Sequence, residues 1–194
     1  MASTNGLASR APTIRLVRMT CYLPPPWPKF LSELDERLST PIELHCVGGF
    51  VATVVFGIPR STADLDYLTA IGSAEEIESL AGPESRLAKK HKVSVHRVGG
   101  ISDYPEDYGE RLVPLELGLN KLHLKILEPY DLLLSKLTRN SPKDREDVKA
   151  IARKLGLSFA ELLGRFEKEM KPWLPNVDRH QNTLTKVWRE YFQE

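Results

Sequence analysis

Apolar and polar positions alternate along this chain in two rhythms, one close to 3.6 residues and one of two. Phe30, Leu31, Leu34 and Leu38 follow the helical spacing and predict a first amphipathic helix over 28–38, after the proline-rich segment YLPPPWP at 22–28. Residues 42–47 (IELHCV) alternate, with Ile42, Leu44 and Cys46 on one face, and Gly48-Gly49 ends that strand. The apolar run 50–56 fits a strand or a buried helix; Gly57 as a C-terminal cap and the short connection favour a helix. Residues 64–71 predict a second strand. Ser73, with Glu75 and Glu76 behind it, caps a helix that breaks at Gly82-Pro83 and resumes to His91. Residues 93–98 predict a third strand and 99–111 a polar loop. Two short strands, 112–118 and 121–127, then form a hairpin through Gly118-Leu119-Asn120.

From Pro129 the rhythm becomes helical. PYDLLLSKLTRN predicts a helix that stops at Asn140, and Ser141-Pro142 starts the next, through Lys154, with Gly156 ending it. Ser158 caps a third helix to about Met170, striped by Leu162, Leu163 and Phe166, and a last amphipathic helix covers 177–192. The fold class is therefore α+β: a small mixed β-sheet flanked by helices, followed by a helical C-terminal region. The organisation expected is a leader over 1–25, an α/β core over 26–128 and a helical region over 129–194.

Composition narrows the partners. A formal net charge of +1 excludes a polyanion binder held by bulk charge, though not a local basic cleft. Cys21 and Cys46 have neither metal-ligand spacing nor a disulfide framework, so they read as idle thiols in a reducing compartment. No apolar run is long enough to span a bilayer, and the N-terminus has arginines but no apolar signal region. No membrane association and a cytoplasmic location are the expectation.

The chemistry concentrates in GGFVATVVFGIPRSTADLDYL, residues 48–68. In an extended strand Asp64 and Asp66 project from the same face. Two neighbouring carboxylates repel, and a hard divalent ion such as Mg2+ relieves that repulsion and can then hold phosphate oxygens. Gly48 and Gly49, at a strand-to-helix turn, allow a phosphate to approach the backbone, and Arg60, Ser61 and Thr62 add donors. The pattern points to metal-dependent phosphoryl or nucleotidyl transfer. The alternative for the same residues is an ordinary turn with two solvated aspartates.

Lys136 and Arg139 lie three apart on one helical face and could grip phosphate oxygens or simply sit at a helix C-terminus. Asp144 and Asp147 share the next helix; they could pair with those cations, orient an attacking hydroxyl, or, for Asp144, cap the helix with Ser141. The histidines at 45, 91, 96, 123 and 180 show no ligand spacing. Trp173, Trp188, Tyr191 and Phe192 read as packing of the last helix.

Together these residues resemble the DNA polymerase beta-type nucleotidyltransferase superfamily, whose signature is a Gly-Gly or Gly-Ser turn followed by an Asp-x-Asp strand. A closer resemblance is to the AbiEii-like nucleotidyltransferases, which include toxins of toxin–antitoxin systems: GGF…GIPRSTADLDYL is similar to their first motif and LSKLTRNSPKDREDV to a later one. The resemblance covers roughly residues 42–155. It implies a nucleotidyltransferase fold, Mg2+ (or Mn2+) as cofactor and an NTP as donor. It implies further that Asp64 and Asp66 ligate metal, that Gly48 and Gly49 contact phosphates, that Lys136 and Arg139 bind nucleotide, and that Asp144 and Asp147 are supporting or catalytic carboxylates; Arg60, Ser61 and Thr62 join the nucleotide-binding set as donors beside the same strand. In the toxin branch the acceptor is RNA, such as a tRNA end, or a protein, and a cognate antitoxin accompanies the enzyme.

One departure stands out. Many active members carry a third carboxylate on the strand after Asp-x-Asp, whereas HKVSVHRV has none and offers His96. Glu116, on the next strand, is the candidate substitute as a metal ligand. Two further readings follow: a nucleotidyltransferase-fold module that binds nucleotide or a partner without turnover, and an RNA-binding accessory protein using Lys89, Lys90, Lys92 and Arg97 as a basic edge.

Overall fold

Strand β1 (Ile42–Val47) is the centre of a mixed five-stranded sheet ordered β3-β2-β1-β5-β4. In the computed structural model, which describes residues 22–99 and 103–192, the remaining strands are β2 (Asp64–Ile71), β3 (Ser94–Arg97), β4 (Val113–Pro114) and β5 (Leu122–Ile126). β1 runs antiparallel to β2 and parallel to β5; β2 and β3 are parallel, and β4 and β5 antiparallel. The expected leader over 1–25 falls mostly outside the described residues. Among those described, no helix is long and apolar enough to cross a membrane.

The α+β expectation holds, and both motif-bearing strands begin and end at their expected residues. On β2, buried Leu65 and Tyr67 alternate with Asp64 and Asp66, which therefore face away from the core. The core is continuous: Phe30 and Leu34 of α1 (Trp27–Arg37), Leu44 and Ile42 of β1, and Ile77 of α3 (Ala74–Ala81) are all fully buried. Truncating one such leucine to alanine costs about 2–5 kcal/mol. The hydroxyls of Ser73, Ser85, Ser141 and Ser158 accept backbone N–H groups at the starts of α3, α4 (Arg86–His91), α6 (Pro142–Leu155) and α7 (Phe159–Glu169).

Four elements differ from expectation. The run after Gly48-Gly49 is helical, as Gly57 suggested, but begins at the glycines themselves: α2 (Gly48–Phe50) continues as a π-turn over Val51–Val55. Helix α5 (Pro129–Leu134) stops six residues into the predicted 129–140 segment. There Ser135 Oγ donates to the Leu132 carbonyl, and the amides of Lys136 and Leu137 bond back only three residues, tightening the chain into turns up to Asn140 at φ 44°. β4 is only two residues long, although the Leu115 amide just beyond it still donates to the Leu124 carbonyl of β5 at 2.9 Å. The C-terminal helix α8 (Val177–Thr183) continues as a π-turn and a 3-10 turn to Tyr191.

Candidate active site

Asp66 pairs in register with Val47, the last residue of β1, so its carboxylate lies beside the turn that opens α2. Gly48 there has φ +68°, and any Cβ on it would overlap Asp66 Oδ2; the Gly49 amide hydrogen-bonds to the same carboxylate. The glycine pair is thus required both by the backbone and by the acid packed on it. Burial, and then the charge of Asp64, push the Asp66 pKa up, against the Gly49 hydrogen bond.

Asp64 is exposed, and its Oδ1 accepts from Ser94 Oγ at 3.1 Å. The parallel β2–β3 register sets Ser94 beside Asp64 and His96 beside Asp66, so the positions open to a third acid hold a hydroxyl and an imidazole. Thr62 Oγ1 accepts from the Asp64 amide at 3.4 Å and stands close against Gly49.

Both aspartates open into a cleft of about 400 Å³ that is also lined by Gly48, Gly49, Arg60, Thr62, Lys136, Arg139 and Asp147. The cations are held by the α6 aspartates. Asp147 Oδ2 accepts from Lys136 Nζ at 2.9 Å and from Arg60 at 3.0 Å. Lys136 and Asp147 are almost fully buried. Two Arg60 nitrogens, Nε and one Nη, are shielded from solvent with no hydrogen-bond partner. Unpaired guanidinium donors beside a paired-acid site are a natural seat for an anion.

Asp144 is fully buried and does not line the cleft. It forms a reciprocal capping box with Ser141 and takes a two-point bond from Arg139, with 2.7 Å to Nε. Burial alone would raise its pKa, but Arg139, Ser141 and Lys136 hold it well below the usual carboxylate range. It is placed to orient Arg139 rather than to touch a ligand.

Two expected residues do not join this group. Ser61 is exposed and absent from the lining. Glu116 is exposed and follows β4, which is separated from β2 by β1 and β5, so it does not reach the aspartate pair. Lining residues that the sequence reading did not place in a site are Val47, Val98, Tyr104, Ser135, Lys143 and the helix-capping Ser141. Lys143 had a local signal, since it sits in the first turn of α6 between Ser141 and Asp147. The basic edge is partly neutralised, with Lys89 paired to Glu84 and Lys90 to Glu33.

Among the described residues no group of three or more His, Cys, Asp or Glu is placed to hold a metal ion. An octahedral Mg2+ commonly takes one or two carboxylates and completes its shell with water and substrate phosphates. The Asp64–Asp66 pair, destabilised by its own repulsion and with cations for phosphate nearby, fits that mode.

No curated protein and no solved structure matches the chain. A family described as "Nucleotidyltransferase of unknown function (DUF6036)" matches residues 29–194. That span includes every residue of the cleft, and the chain belongs to this nucleotidyltransferase family.

Proposed function

We propose that the protein transfers a nucleoside monophosphate from an NTP to an acceptor hydroxyl, with pyrophosphate as the leaving group. The observation that carries this reading is the meeting, in one cleft, of Asp64 and Asp66 on a glycine floor with Lys136, Arg60 and Arg139. Asp64 and Asp66 are the residues that would hold Mg2+ or Mn2+, which when bound neutralises phosphate charge and polarises the α-phosphate. Lys136 and Arg60, fixed by Asp147, and Arg139, fixed by Asp144, bind triphosphate oxygens and orient the chain of phosphates for in-line attack. The acceptor oxygen bonds to the α-phosphorus, the bond from that phosphorus to the bridging oxygen breaks, and the hydroxyl proton passes to solvent.

The resemblance to AbiEii-like enzymes extends the proposal to a cytoplasmic toxin acting on an RNA end, such as that of a tRNA, or on a protein, and opposed by an antitoxin. Transfer of label from α-phosphate-labelled NTPs to RNA and to protein tests it. Label transfer should require a divalent ion and vanish in Asp64→Asn/Asp66→Asn. A double variant that behaves as wild type with all four NTPs would overturn the reading.

A second reading draws on Ser94 and His96 beside the two acids. With only two carboxylates a second metal would be held weakly, and the protein would act by binding nucleotide or a partner without turnover. Tight, Mg2+-dependent NTP binding in calorimetry with no pyrophosphate released supports this version.

A further inference from the structure

The cleft has an aromatic wall as well as charged ones. Val98, just after β3, and Tyr104, in the following loop, line it, and Tyr104 is the only aromatic among the described residues that do so. The Tyr104 segment is anchored at several points. Its ring centroid lies 5.9 Å from that of Tyr108. Tyr108 meets His45 of β1 edge-on at 6.1 Å, and its hydroxyl is 3.3 Å from Thr69 Oγ1 of β2. Three residues further, Arg111 donates to both oxygens of buried Asp131 at 2.9 Å and to Glu169 of α7. A ring held in this way loses little conformational freedom when a ligand packs on it.

Polyphosphate and metal need oxygen ligands and cations; neither uses a tyrosine ring or a valine. A flat heteroaromatic group does, because stacking on a tyrosine face is favourable for any base. A cleft of about 400 Å³ is large enough for a ligand of nucleotide size. Resting on the nucleotidyltransferase reading, we infer that Tyr104 is the platform on which the nucleobase of the NTP stacks, with Val98 beside it.

The experiment is calorimetric titration with Mg2+ and either an NTP or inorganic tripolyphosphate, on wild type, Tyr104→Phe, Tyr104→Leu and Tyr104→Ala. Removing the ring in Tyr104→Leu or Tyr104→Ala should weaken NTP binding about tenfold. Tyr104→Phe should bind as wild type, and tripolyphosphate should bind all four alike. Tyr104→Leu keeps the bulk of the side chain and covers the case in which the alanine variant is poorly folded. NTP affinity unchanged in the leucine variant overturns the platform and leaves the transferase reading standing. So does a wild type that binds tripolyphosphate as tightly as NTP. A wild type that binds neither overturns both.

Discussion

The carboxylate of Asp66 rests on the α-carbon of Gly48, so closely that a methyl carbon in place of the glycine hydrogen would lie 2.3 Å from Oδ2. The same glycine has φ +68°, so two independent constraints meet at one residue. Gly156, at the end of α6, has a similar φ of +60° but open space where a Cβ would go. Gly156→Ala should therefore lose about 1 kcal/mol of stability from backbone strain alone. Gly48→Ala should lose more and should also displace Asp66. Urea unfolding and Mg2+-dependent NTP binding separate the two effects: the Gly156 variant should bind normally, and the Gly48 variant should not.

Asp64 and Asp66 repel each other, and Asp66 is partly buried as well. In the absence of divalent ions Asp66→Asn should raise the melting temperature, because it removes one of two like charges. Mg2+ should raise the melting temperature of wild type and leave that of Asp66→Asn unchanged. Transfer activity should fall about a hundredfold or more, the loss expected when several kcal/mol of metal-derived stabilisation are removed.

Asp147 neutralises two cations at once from a position with almost no solvent contact. Replacing one partner of such a buried pair leaves a charge stranded, at a penalty of about 3–5 kcal/mol. Asp147→Ala should be destabilised by that order in urea unfolding. Adding Lys136→Met should recover part of the loss, since the stranded ammonium is gone. An additive double variant would show that the two residues do not interact.

The carboxylate of Asp35, on α1, accepts the amides of Asn120, Lys121 and Leu122, the turn that leads into β5. Burial alone would raise its pKa, but these three amides outweigh burial and lower it from its usual value of 3.8. A lowered folded pKa means stability that is present above the unfolded value and lost as pH falls through the folded one. Asp35→Asn should thus destabilise the protein by about 2 kcal/mol at neutral pH. The gap between variant and wild type should narrow on acidification below about pH 4, as followed by urea midpoints.

Local signals carried much of this architecture. Alternation through residues 42–46 and 64–67 marked β1 and β2, and serine caps at 73, 141 and 158 set three helix starts. The pairings Lys136–Asp147 and Arg139–Asp144 were among the alternatives because each spans one short turn. What stayed hidden depends on tertiary context. Helix α5 shortens where Lys136 leaves the helical path and bonds to Asp147. Tyr104 reaches the cleft only because Tyr108 and Arg111 tie its loop to distant strands and helices. Glu116 looked available from its place after the third strand, yet the order β3-β2-β1-β5-β4 sets it across the sheet from the acids.

The paired acids Asp64 and Asp66 come from β2, with Arg60 just before it, whereas Lys136, Arg139 and Asp147 come from a segment some seventy residues later in the chain. A ribosome translating this message would therefore release the side of the pocket bearing Asp64 and Asp66 long before the side bearing Lys136 and Arg139. A nascent polypeptide that has not yet exposed α6 has the two acids of β2 without Asp147, the anchor that holds Lys136 and Arg60 in place.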